Sequence, residues 1–125
     1  MRKGLGGFPQ GLFFADVKGG AIMANATHFH WDDIATSGDA GADRRLIAGQ
    51  AGDLKRVGVK AGTVAVRHAH AFEQFFMVAE GEGVLVWQGG EISLRAGVVV
   101  HFDADVWHEA RFDTDTVLYE VNFRG

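Results

Sequence analysis

The 125-residue chain contains no cysteine. Disulfide scaffolds, thiolate zinc sites, iron–sulfur clusters and thiol nucleophiles are therefore excluded. Proline and tyrosine each occur once, and no stretch approaches the ~20 consecutive apolar residues that a membrane-spanning helix needs. An excess of positive charge is also missing: 12 lysines and arginines stand against 16 aspartates and glutamates, a formal net charge of −4. That balance argues against a nucleic-acid partner, which usually selects for clustered positive charge. Arg2 and Lys3 are followed by a stretch broken at Gly4, Gly6, Gly7, Pro9 and Gln10, which makes a poor secretory leader. The resulting expectations are a cytoplasmic location and no membrane partner.

Glycine, by contrast, is plentiful: 18 residues, about twice the average usage of roughly 7%. With 47% hydrophobic and 22% charged residues, the chain has the composition of one folded domain. Residues 1–44 read as an irregular arm and loop. The first ~22 are glycine-rich with Phe8, Phe13 and Phe14, and Met23 offers an alternative start. That segment is either an extended start or an arm that adds a strand or covers an apolar patch. The polar run from Ser37 to Asp43 is a loop by composition. From Arg45 onward, short apolar runs at 46–48, 54–59, 63–70, 75–79, 83–88, 92–94, 98–102, 106–112 and 116–123 alternate with glycine or aspartate turns. Nine runs at this spacing, with no helical period and no internal repeat, predict an all-β domain over 45–125: a sandwich, barrel or jelly roll. Phe76, Val78, Phe102, Trp107, Tyr119 and Phe123 are its expected core, because aromatic and branched side chains bury large areas.

Six histidines carry the chemistry. If 63–70 is a strand, side-chain alternation puts His68 and His70 on one face, about 7 Å apart along the chain. Gln74 shares their parity and Glu73 does not. An uninterrupted strand brings Gln74 to the histidine face, whereas a bulge swings Glu73 in instead. His108, after a turn on a later strand, supplies a third imidazole. Neutral imidazoles beside an oxygen donor suit one divalent transition metal ion: Fe, Mn, Ni, Cu, Co or Zn. With Gln74 as donor the ion keeps its full charge as a Lewis acid; with Glu73 that charge is partly offset.

The remaining candidates are weighed against plainer readings. His28 and His30 repeat the spacing, but nothing near them completes a site. His101 is either a proton shuttle or an outer-face residue. Arg56 either grips an anionic group of a substrate inside the barrel or is a solvated edge charge. Tyr119 is either a weak acid in the interior or core. Glu73 is expected to orient Arg67 or a histidine ring nitrogen more readily than to ligate metal.

The segment from about 45 to 123 resembles the small single-domain bacterial cupins. Their first motif has a glycine, five residues, His-x-His, an acid or amide shortly after, and a glycine after six more. It is matched here by Gly62, His68, His70, Gln74 and Gly81. Their second motif is matched by Gly90 to Gly97, followed by His108 at the place of the last ligand. The resemblance implies a double-stranded β-helix, a small jelly roll, with His68, His70 and His108 as metal ligands and Gln74 at the fourth position, where most members carry a carboxylate. Two family prolines are replaced, by residues near Ala96 and at Asp103, which predicts a more mobile barrel mouth. The function implied is a metal-dependent enzyme on a small oxygenated organic molecule, either a dioxygenase or an isomerase or lyase. The alternative is a non-catalytic cupin that binds or senses a small ligand. A homodimer is expected, since small jelly rolls expose sheet edges.

Overall fold

The computed structural model describes residues 25–38 and 41–124, so the expectations about the first 22 residues lie outside it. Nine strands follow one another: β1 (Ala42–Ala48), β2 (Gly52–Val59), β3 (Val64–His68), β4 (Gln74–Glu80), β5 (Gly83–Trp87), β6 (Gly90–Leu94), β7 (Val99–Phe102), β8 (His108–Phe112) and β9 (Thr116–Phe123). Each lies on one of the nine apolar runs, and β1 begins at Ala42, three residues ahead of the expected barrel boundary. Among the described residues the only helical element is a 3-10 turn, Trp31–Asp33, where the His30 ring Nδ1 accepts from the Asp32 amide at 3.1 Å.

The strands form two antiparallel sheets, ordered β1-β2-β9-β4-β7 and β3-β8-β5-β6. Alternation sorts their side chains. Val57, Val59, Phe76, Val78, Leu118 and Phe102 point inward from the first sheet, and Leu85, Leu94, Ala110 and Phe112 meet them from the second. Each such Val, Leu or Phe contributes about 1.5–3 kcal/mol by leaving water. Phe76, Val78 and Phe102 are buried as expected. Trp107, Tyr119 and Phe123 are not: all three are only half-buried. Tyr119 alternates with the buried Leu118, so it faces outward, where it meets the Trp31 ring at 5.8 Å.

Two irregularities position the site. Gly81 turns the chain between β4 and β5 at φ +105°, and a Cβ there would fall 2.2 Å from Thr116 Oγ1. The second irregularity is a bulge in β3. Ala65 pairs with Ala110 and His68 with His108, so Val66 and Arg67 together oppose Glu109. Val64 and Val66 consequently face solvent at 64% and 73% exposure, while His68, which shares their parity, turns to the inner face with buried His108. The extra residue of a bulge produces this change of face.

Candidate metal centre

His68 ends β3 and His108 begins β8, directly across the ladder. His70 lies beyond the strand end, in the loop of residues 69–73, and Gln74 opens β4 in the opposite sheet. The expected strand over 63–70 therefore stops at His68. Gln74 reaches the site because the chain crosses between sheets, not because it continues one strand's alternation. The ring centroids are 4.4 Å apart for His68 and His108, 4.9 Å for His68 and His70, and 5.5 Å for His70 and His108. One nitrogen from each ring lies within 4.8 Å of the others.

The rings are held in place. Nδ1–H of His68 donates to the Val66 carbonyl at 2.6 Å, and Nδ1–H of His108 to the Val106 carbonyl at 3.1 Å. A proton fixed on Nδ1 leaves the Nε2 lone pair as the donor to a cation. Phe102 stacks on His108 at 4.1 Å and 15°, and Phe72 on His70 at 4.7 Å and 17°. The loop bearing His70 is tied down by the Asp105 amide, which donates to the His70 carbonyl at 2.7 Å. Asp105 does this from a left-handed backbone, φ 68°, which aspartate tolerates better than most residues. The turn that lacks the family proline is thus closed by a hydrogen bond to the site itself.

Burial, followed by the positive fields of His68, His108 and Lys55, pulls the His70 pKa below its ordinary 6.5. Burial likewise lowers that of His108, against the opposing pull of its bond to Val106. Both rings therefore favour the neutral form that a metal requires.

Gln74 is 2% exposed. Its Nε2 donates to Asn122 Oδ1 at 2.8 Å, and its Oε1 has no partner. Leaving a buried carbonyl oxygen unpaired costs about 1–3 kcal/mol, so an unpartnered acceptor on the wall that also carries the three imidazoles fits the ligation of a cation. Three imidazoles and an amide oxygen are also the donor set a borderline-soft divalent ion accepts.

These four residues border a cavity of about 360 Å³ whose other walls include Val57, Val59, Phe76, Leu85, Phe112 and Leu118. Arg44, Lys55 and Glu120 reach it as well, and none of the three was singled out from the sequence. Their signal is parity: Lys55 shares the strand face of the buried Val57 and Val59, and Glu120 that of the buried Leu118. Lys55 Nζ pairs with Glu120 Oε1 at 3.5 Å.

Three sequence candidates do not line this cavity. Arg56 sits one residue out of phase with Lys55 and borders a separate outer depression with Asp43 and Lys60. Tyr119 faces outward with it across the β2–β9 ladder. His101 pairs with outward Phe75, and its Nε2 meets Glu73 Oε2 at 2.6 Å. Glu73 is exposed and orients that ring; Arg67 is instead bound by Glu109 and lies 3.7 Å over the Trp107 ring. His28 and His30 are exposed.

Residues 55–121 match the family model described as Cupin domain. The chain belongs to the cupin family. A search of the curated proteins finds no match. Among solved structures, this cupin is similar to an RmlC-like cupin from Shewanella frigidimarina, with TM-score 0.72 and 21% identity over 80% of this chain and 93% of that one. KdgF from a Halomonas species gives 0.70 and 18% over 81% and 96%. Ectoine synthase from P. lautus gives 0.72 and 18% over 78% of each. At these identities the likeness is one of fold, with the histidine cluster in the cupin barrel as this chain's own feature that could hold a metal ion.

Proposed function

We propose that this cupin is a metal-dependent enzyme that acts on a small oxygenated organic molecule by proton transfer, as an isomerase or lyase. The observation that carries the reading is the unpartnered, buried Gln74 Oε1 in the wall of the cavity that the three clustered histidines also line. His68 and His108 through Nε2, His70, and Gln74 through Oε1 would hold one divalent transition metal ion. Such an ion supplies Lewis-acid polarisation of a substrate oxygen.

The chain's own residues supply the rest. The apolar walls exclude water around the substrate, which strengthens every electrostatic contact inside. Glu120 is the one carboxylate bordering the cavity among the described residues, and its Oε1 lies 3.5 Å from Lys55 Nζ. Its carboxylate is thus placed to take a proton from a carbon next to a polarised oxygen and to return it elsewhere. A base at this place supports proton-transfer chemistry. An enzyme of this fold, ectoine synthase, shows that the architecture can host catalysis.

Elemental analysis of the purified protein tests the first half: one metal per chain is expected, lost in His68→Ala and His108→Ala. Proton exchange tests the second. Incubation with small hydroxy and keto acids in heavy water should give carbon-bound deuterium in the parent protein and none in Glu120→Gln. Protein without stoichiometric metal would overturn the metal assignment. Tight ligand binding with no exchange or product would replace the enzyme with a non-catalytic binding cupin.

A further inference from the structure

We infer that the substrate carries an apolar tail, which runs from the histidine cluster along the cavity, and that Ala65 and Ala110 set how large a tail fits. Ala65, Ala110 and Leu85 stand in one row across β3, β8 and β5. The neighbouring row on the same ladder is His68 with His108. The two alanines therefore lie directly behind two of the proposed ligands, and both border the cavity with them. Further along, Phe112 follows Ala110 on the inner face of β8, and Val57 pairs with Leu118 in the other sheet. These three are buried and border the same cavity. The rise from His108 to Phe112 is about 13 Å along an antiparallel strand, so the space is longer than the ligand cluster alone requires.

Small side chains open that space. Protein interiors pack closely and leave few voids larger than a water molecule, yet this cavity measures about 360 Å³. The buried neighbours carry Val, Leu or Phe on the inner face; at Ala65 and Ala110 there are two adjacent methyl groups instead. A leucine at either position would project into the cavity. The polar groups near the histidines are already engaged with one another: Lys55 Nζ lies 3.5 Å from Glu120 Oε1. Arg44 and Thr63 edge the cavity alongside Val57 and ahead of β3. Between these groups, Val57, Leu85, Phe112 and Leu118 offer water no hydrogen bond, and apolar space of this kind takes a hydrocarbon guest in preference to water. A substrate oxygen at the histidine end would thus leave its carbon chain over the two alanines. The place of that oxygen rests on the proposed metal; the apolar tail does not.

Calorimetric titration of the metal-loaded protein with straight-chain hydroxamates, from acetohydroxamate to hexanohydroxamate, tests this. The hydroxamate head chelates a divalent ion, and only the tail changes through the series. Affinity should rise about three-fold or more with each added methylene, the scale of moving one out of water. Ala110→Leu and Ala65→Leu should each remove most of that rise. Acetohydroxamate should bind them as tightly as the parent, and metal content should stay at one per chain, neither of which a misfolded variant would show. Hexanol, which lacks the chelating head, gives a second arm. At millimolar concentration it should raise the melting temperature of the metal-stripped parent and leave that of Ala110→Leu unmoved. Affinity flat across the series, a rise equally steep in both leucine variants, or no effect of hexanol on the parent would overturn the inference while leaving the metal assignment intact. A protein that holds no metal, yet is stabilised by hexanol in the parent and not in Ala110→Leu, would overturn the metal assignment and support the inference.

Discussion

Gln74 and Asn122 lie opposite each other on the β4–β9 ladder, and the side-chain amide of the first donates to the side-chain carbonyl of the second at 2.8 Å. That bond decides which end of the Gln74 amide is left without a partner. Asn122→Ala is therefore expected to let the amide rotate and to weaken metal binding by about 10–100-fold, the usual effect of removing a group that orients a ligand. Competition with a chelator of known affinity measures it. Unchanged affinity would mean that Gln74 is not a ligand.

Gln74→Glu is expected to have the opposite effect on the metal. A carboxylate attracts a dication more strongly than an amide does, and Asn122 can turn its amide to donate to it. Metal affinity should rise by roughly ten-fold or more, on the same electrostatic ground. Competition with the same chelator reads the change.

The strands are legible in the sequence because apolar runs and glycine or aspartate turns alternate without competition from any helical period. The three histidines are legible from their spacing and from the cupin motifs. The path by which they meet is less so. Strict alternation along 63–70 puts Val64, Val66, His68 and His70 on one face, but the bulge turns the two valines out and His68 in, and His70 lies past the strand end. A bulge depends on pairing with β8, more than forty residues away, and local sequence does not encode it. The charged half of the cavity escapes notice for a different reason. Inward Arg44, Lys55 and Glu120 look like surface charges until the phase of their strands is known, and Arg56, with the opposite phase, faces away.

The metal-free protein should be sensitive to mild acid. Both His70 and His108 have pKa values pulled below 6.5 by burial. The unfolded chain therefore binds protons first as pH falls. The stability from keeping these rings neutral is complete above about pH 6.5 and is lost as pH drops through their lowered folded values. Thermal melting of metal-stripped protein should show the melting temperature falling below that pH, with a shallower slope in His108→Gln. An equal slope in the variant would place the titrating group elsewhere.

Gly81 closes the first cupin motif for a steric reason. With φ at +105° and Thr116 in the way of any Cβ, Gly81→Ala combines backbone strain with a clash against a buried neighbour. A loss of about 2 kcal/mol or more is expected. Denaturant unfolding measures it, and a loss under half that would show that the β4–β5 turn can shift at little cost.

The proposed donors are divided between two layers: His68 and His108 belong to the four-stranded sheet, Gln74 to the five-stranded one, with His70 on the link between them. A cation gripped there would act as a rivet through both halves of the sandwich. Its departure would free one end to splay, so a cell short of the metal would hold a looser protein as well as an idle one.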